Sequence, residues 1–191
     1  MRLTPLRFVA TLLLAVVPVC AWSSGTDQDI VVEVRKDGQN IAVDVDCPVD
    51  APLPVVWEVL TDYDRMAHFI SSLDYSGIDS RADNVLRVHQ KGKASRGIVT
   101  INFDNIREIE LVPYREIRSR WISGDLKASM FTTLIVDVDQ RVHIVNRGHY
   151  TPKMWIPPLI GPALIEAETQ KQFGEIRAEI LRRNALVLPP T

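Results

Sequence analysis

A chain of 191 residues with 22 Lys and Arg against 24 Asp and Glu has no basic excess with which to neutralise phosphates, so its charge speaks against nucleic acid as a partner. No run of like charges is long enough for a polybasic membrane patch. At 46% hydrophobic residues the chain has the content of one globular core, and a domain of this size buries roughly 70% of its unfolded surface.

The N-terminus has the order of a secretory signal peptide. Arg2 and Arg7 form a basic start, Phe8 to Val19 is almost wholly apolar, and Val19-Cys20-Ala21 offers a cleavage site, so residues 1–21 read as a signal peptide cut after Ala21. The apolar run contains Thr11 and Pro18 and falls short of the roughly 20 residues that span a bilayer. A lipid anchor on Cys20 is disfavoured by Val19 before it. The predicted destination is export: the periplasm in a Gram-negative source, otherwise the medium. Cleavage removes two Arg and Cys20, leaving a mature charge of about −4 and Cys47 as the single cysteine. No His or second Cys adjoins Cys47, so it reads as a small strand residue and the fold stands without a disulfide.

Ile30–Val34 and Ile41–Val45 alternate around Lys36-Asp37-Gly38-Gln39, a strong hairpin signal. Pro48, Pro52 and Pro54 end the second strand, and Pro54 suits the first turn of a short helix through Leu60. Asp62-Tyr63-Asp64 breaks that helix, and Asp64 can cap a second turn carrying Met66, Phe69 and Ile70. Strands follow over Val85–Val88, Ile98–Phe103, Arg115–Trp121, Lys127–Val136 and Val142–Tyr150, divided by Asp83-Asn84, Gly92 to Gly97, Pro113, Gly124-Asp125 and Asp139-Gln140. Spacers this short join antiparallel neighbours. Val99, Ile101 and Phe103 share a face, as do Ile117, Ser119 and Trp121, while Glu116, Arg118 and Arg120 take the other, so one side of the sheet is covered and one is wet. Last comes a helix over Ala163 to Arg183, with Ile165, Thr169, Phe173, Ile176 and Ile180 on one stripe. Asn184 is its expected stop, and 185–191 reads as a flexible tail.

A meander with one apolar face must bury it, and only the terminal helix is long enough to cross it. A twisted sheet curls away from a straight rod, which leaves a hollow unless large side chains fill it. Ser119, Thr132, Asn146 and Gly148, assigned inward, are small or polar, as in a lined pocket. A filled core with satisfied polar groups is the alternative. The predicted fold class is thus α+β, with six to seven antiparallel strands curved around a long C-terminal helix and two short helices after the first strands.

Val49-Asp-Ala-Pro52, Val56-Trp57-Glu-Val-Leu60-Thr-Asp-Tyr63-Asp-Arg-Met66 and Trp155-Ile-Pro-Pro-Leu-Ile-Gly-Pro162 resemble the START-like or Bet v 1-like (SRPBCC) superfamily, which includes polyketide cyclases and coenzyme Q-binding START proteins. The resemblance covers 29–184 and implies a helix-grip domain whose cavity opens between the long helix and adjacent loops. It implies nothing specific about the ligand, since the superfamily holds enzymes, carriers and plant hormone receptors. It also places Trp57 under the helix as a core residue.

No cofactor or metal is expected. His68, His89, His143 and His149 lack the H-E-x-x-H spacing, and His143 and His149 share the solvent parity of Arg147. There is no nucleophile elbow, and Ser95 falls in a turn. Acid–base work through Arg96, Arg120, Asp104 or Asn146 is weighed against plain strand charges and a satisfied amide; Arg120 shares the face of Glu116 and Arg118, which favours a cross-strand ion pair. The ligand-binding candidates are Met66, Phe69 and Ile70 on the second short helix, where the resemblance implies a lid, Phe103, Ile117, Trp121, Met130, Asn146, Tyr150 and Phe173 on inward faces, and Trp155 at the rim. Core packing competes for each. The run 154–160 is read as a packed entrance loop, with transient membrane contact near Trp155 as the alternative. The leading function is binding or carriage of a hydrophobic small molecule (a lipid, isoprenoid quinone or polyketide-like compound). A cyclase or dehydratase acting in the same cavity, and a protein-interaction module using the open sheet face, are the alternatives; oligomeric state is not specified by the sequence.

Overall fold

The computed structural model describes residues 29–96, 99–154 and 161–187. Strands β1 (Val31–Asp37) and β2 (Asn40–Val49) form the N-terminal hairpin, turned at Gly38, whose φ of +56° favours glycine. Helix α1 (Leu53–Thr61) and a 3-10 helix (Tyr63–His68) carry the chain to a six-strand meander: β3 (Leu73–Ala82), β4 (Val85–Arg96), β5 (Val99–Val112), β6 (Glu116–Gly124), β7 (Leu126–Val138) and β8 (Arg141–Pro152). Helix α2 (Gly161–Val187) closes the chain. The sheet order is β1-β2-β8-β7-β6-β5-β4-β3, antiparallel throughout, with β1 and β3 as its unclosed edges. The expected α+β helix-grip architecture is the observed one. The sheet has eight strands, against the six to seven expected.

The extra strand is β3. Its register with β4 shifts between Leu73 and Tyr75 and again between Ile78 and Ser80. Each bulge moves the following side chains to the opposite face, so Leu73–Ala82 shows no clean alternation in sequence. β4 also runs on to Arg96, through most of the stretch from Gly92 to Gly97 that in sequence suggests a turn; Gly97 itself lies outside the described residues. Gly92 is there for closeness: a Cβ would lie 2.0 Å from the carbonyl oxygen of Ser72. That oxygen accepts the backbone N–H of Lys93 at 2.9 Å, tying β4 to the segment that follows the 3-10 helix.

α2 lies across the concave face and touches β1, β2, β4 and α1. Its C-terminal half builds the solid core, where Ile176 and Ile180 meet buried residues such as Ile41, Ile144, Val56 and Val59. It continues past Asn184 to Val187. Arg177 pairs with Asp29, which also accepts from Arg141 Nη1 at 3.1 Å, so the start of β1 is held to the helix and to β8. Trp57 is half-buried and packs against the core without being enclosed in it, its ring 5.6 Å from that of Tyr114. Cys47 is a buried strand residue of β2. No helix among the described residues is long and apolar enough to cross a membrane.

Candidate ligand cavity

Beneath the N-terminal half of α2 the sheet curves away and leaves a cavity of about 430 Å³. That lies in the roughly 300–1,000 Å³ range of small-molecule sites. Alternation on each strand sets its wall. β5 contributes Ile101, Phe103, Asn105, Arg107 and Ile109; β6 contributes Ile117 and Ser119; β7 contributes Ser129, Phe131 and Thr133; β8 contributes Asn146 and Tyr150. α2 covers them with Leu164, Ile165, Glu168, Thr169, Gln172, Phe173 and Ile176. The 3-10 helix and its exit close one end with Tyr63, Met66 and Ile70.

Seven of the eleven predicted ligand-binding residues line this space: Met66, Ile70, Phe103, Ile117, Asn146, Tyr150 and Phe173. Phe69 does not. The 3-10 helix ends at His68, Phe69 leaves it with φ −125°, and its ring lies 5.8 Å from the guanidinium of Arg183 instead. Met130 does not either. β7 points Ser129, Phe131 and Thr133 inward, so Met130 stands on the outer face, 54% exposed, and Thr132 shares its parity. Trp121 keeps the parity of Ile117 and Ser119 but lies outside the wall, with Lys153 Nζ 5.8 Å over its ring. Trp155 lies outside the described residues.

The polar groups fall into two sets. Thr133 Oγ1 donates to Asn146 Oδ1 at 2.9 Å, pairing β7 with β8 inside the wall. At the closed end, Gln90 of β4 donates its Nε2 to Ser76 Oγ at 2.9 Å while its Oε1 accepts from Arg107 Nη2. Burial pushes the Tyr63 hydroxyl up to about 12, against the opposing pull of Arg107, and burial likewise raises Tyr150. Ser119 Oγ and Trp121 Nε1 are buried with no hydrogen-bond partner among the described residues.

Tyr63, Gln90, Arg107 and Phe131 escaped the sequence reading for separate reasons. In the sequence Tyr63 reads as part of a helix break, and the apolar strand patterns stop at Val88 and Phe103, before Gln90 and Arg107. Continuing the alternation from Phe103 through Asn105 would have placed Arg107 inward. Phe131 follows directly from reversing the parity of β7. The candidate acid–base residues Arg120 and Asp104 lie on the outer face. Arg120 Nη2 donates to Glu108 Oε1 at 2.5 Å across the strands, as its charge partnering suggested, and Asp104 pairs with His89 at 2.7 Å. No metal-ligand cluster occurs among the described residues.

A concave sheet gripping a long helix over an apolar-walled cavity defines a START-like, helix-grip protein. The chain belongs to the family described as polyketide cyclase/dehydrase and lipid transport, whose sequence profile matches residues 49–174. Solved structures share the fold at low identity. The Zhui aromatase/cyclase from Streptomyces sp. R1128 is 17% identical, with a TM-score of 0.63 over 75% of this chain and 95% of its own. A STAR-related lipid transfer protein from Xanthomonas axonopodis is 13% identical, with a TM-score of 0.65 over 80% and 93%. Human StAR-related lipid transfer protein 5 is 8% identical, with a TM-score of 0.58 over 80% and 87%. No curated protein matches the chain significantly.

Proposed function

We propose that this protein binds and carries a hydrophobic small molecule, in the class of lipids, isoprenoid quinones and polyketide-like compounds, without transforming it. The observation that carries this reading is the cavity itself. Isoleucine, leucine and phenylalanine side chains dominate its wall. Such a wall stabilises a greasy ligand by roughly 25 cal/mol per Å² buried, with no charge partner required. The titratable groups around it favour carriage over proton transfer. Both phenols are held protonated well above neutrality, and Thr133 and Asn146 are occupied with each other. Relatives in the family include an aromatase/cyclase as well as lipid transfer proteins. A cyclase or dehydratase reading therefore stands as the rival, supported by Arg107 and Tyr63 sharing the closed end of the cavity.

The test is native mass spectrometry of protein purified from its own host. A retained apolar adduct is the expected result, and the stripped protein should be thermally stabilised by fatty acids, quinones or phospholipids. Indifference to that panel would overturn carriage, and turnover of a poly-β-ketone thioester would favour the rival.

The same proposal places the protein outside the cytoplasm, supported by the basic, apolar and cleavable order of residues 1–21. Sequencing the mature N-terminus should give Trp22; retention of Met1 would sink the export. Transient membrane contact during loading is assigned to the rim at Met154, which is exposed beside Trp155.

A further inference from the structure

Among the described residues, the arginines drawn at least partly out of solvent are matched by carboxylates, Arg107 excepted. Arg177 pairs with Asp29, and Arg183 with Asp62, Glu58 and Glu179. A second hollow, between the β2–α1 and β7–β8 connections, holds Arg141, whose guanidinium is already shared by Asp29 and Asp50. Arg107 is different. It lines the cavity, and its one hydrogen-bond partner among the described residues is the neutral carbonyl oxygen of Gln90. The remaining guanidinium N–H groups have no protein acceptor among the described residues, and no carboxylate lies within ion-pair distance. Arg107 is half-buried, and a guanidinium partly withdrawn from water without a counter-charge is costly unless something else supplies the charge.

Two further donors lie beside it. In the β5–β6 register Arg107 stands opposite Trp121, and Ile109 stands opposite Ser119. Arg107 and Ser119 are thus diagonal neighbours on the inner face, within reach of a long side chain. Ser119 is 8% exposed and lines the cavity, and neither its Oγ nor the buried Nε1 of Trp121 has a partner among the described residues. Gln90 is held in place by Ser76, which keeps its carbonyl oxygen on Arg107. What is missing from this patch is an acceptor, and a negatively charged one.

We propose that Arg107 and Ser119, with Gln90 holding the Arg107 guanidinium in place, form a head-group subsite that takes the carboxylate of an amphiphilic acid, whose apolar chain fills the rest of the cavity. This rests on the carriage reading and adds the ligand's chemical class and its orientation. The head sits at the closed end, among Tyr63, Gln90 and Ile109, all buried. The chain runs toward Leu126 and the exposed Met154. Asp125 and Glu168 also line the cavity, and like-charge repulsion there disfavours the reversed orientation. A hydrogen bond to a charged group is worth about 1.5–3 kcal/mol, or roughly tenfold and more in affinity.

Calorimetric titration of the stripped full chain with dodecanoate, dodecanol and butyrate tests this. The expected order is dodecanoate tighter than dodecanol by about tenfold or more, with butyrate far weaker than either. In Arg107→Met the preference for the acid should vanish while dodecanol binds as before. Ser119→Ala, a small change that leaves the strand intact, should weaken dodecanoate alone by a few-fold and covers the case in which Arg107→Met does not fold. Equal binding of acid and alcohol by the unaltered protein, or an acid preference surviving in both variants, overturns the subsite and leaves carriage standing. Butyrate binding as tightly as dodecanoate overturns the amphiphile class. Binding of neither long-chain probe overturns this proposal and the carriage reading together.

Discussion

Arg183 of α2 donates its Nη2 to Asp62 Oδ2 at 2.7 Å, where α1 ends, and its Nη1 to Glu58 Oε1 at 2.9 Å. The Arg183 and Asp62 side chains are each only 12% exposed, so this contact works largely out of water. It joins the last turns of α2 to the segment that supplies Tyr63 and Met66 to the cavity's closed end. Glu175, one helical stretch earlier, holds the far side of that segment through the backbone N–H of Ser71 at 2.9 Å. Removing one partner of a buried pair costs about 3–5 kcal/mol, and partial exposure reduces this to about 2–3. Arg183→Met should therefore lower urea-measured stability by about 2–3 kcal/mol, with Asp62→Asn/Arg183→Met costing clearly less than the sum of the single changes.

The same cluster gives a pH dependence. Hydrogen bonds from Arg182 and Arg183 hold the Glu179 carboxyl at about 2, against its usual value of 4.5. Asp62 is also lowered, since Arg65 and Arg183 outweigh the upward push of burial. A carboxyl whose folded pKa lies below its unfolded value adds stability that is complete above the unfolded value and lost as pH falls toward the folded one. Urea midpoints should be flat from neutral pH to about 5, then fall between about 4.5 and 2. Solvent screening limits the share of Glu179 to about 1–2 kcal/mol. In Glu179→Gln that share of the fall should disappear; an unchanged acid limb would remove Glu179 from the account.

The elements legible in the sequence were those with unbroken periodicity. The β1–β2 hairpin, the stripe of Ile165, Thr169, Phe173, Ile176 and Ile180, and the inward set on β6 all follow from regular spacing. The failures sit where the period slips or the backbone leaves its element. Bulges at Leu73/Tyr75 and Ile78/Ser80 hide β3, and Gly92, required for close approach, imitates a turn in β4. The Arg107 subsite was missed for a related reason: a charged residue in an apolar alternation reads as the end of a strand, whereas here it is part of the strand's inner face.

β7 offers a direct check on parity. Met130 and Phe131 are adjacent, equally hydrophobic, and point to opposite sides of the sheet. Met130→Lys should leave stability within about 0.5 kcal/mol of the unaltered protein, as exposed substitutions do. Phe131→Lys should be strongly destabilising or abolish folding, because it places an unpaired cation among Phe103, Ile117 and Tyr150. Thermal denaturation of the two proteins reads this out, and similar costs for both would mean the register of β7 is wrong.

Gly92→Ala tests the junction between β4 and the segment that follows the 3-10 helix. The new methyl would meet the Ser72 carbonyl oxygen at 2.0 Å and the Phe103 ring at 2.8 Å. The first is backbone and cannot rotate away, so the two segments must part. A loss of about 2 kcal/mol or more is expected, in the range of core overpacking. Because Phe103 lines the cavity, weaker probe binding should accompany the fall in melting temperature; a neutral substitution would show that the close approach is not maintained in solution.

Whether the space beneath α2 is hollow can be decided by filling it. In a close-packed interior, extra methylenes force neighbours off their rotamers and cost about 1–3 kcal/mol. In an open cavity the added ring instead gains contacts and removes apolar surface from water at roughly 25 cal/mol per Å². Ile117 is buried, points inward from β6, and faces the cavity from beside Ser119. Ile117→Phe should thus be neutral or stabilising in urea denaturation of the stripped protein, while reducing the longest alkyl chain that binds. Ile144, inward on β8 but 0% exposed and outside the cavity wall, supplies the control. Ile144→Phe should cost the full overpacking penalty. If the two substitutions destabilise equally, the space under α2 is already filled by the protein's own side chains and has no room for a ligand.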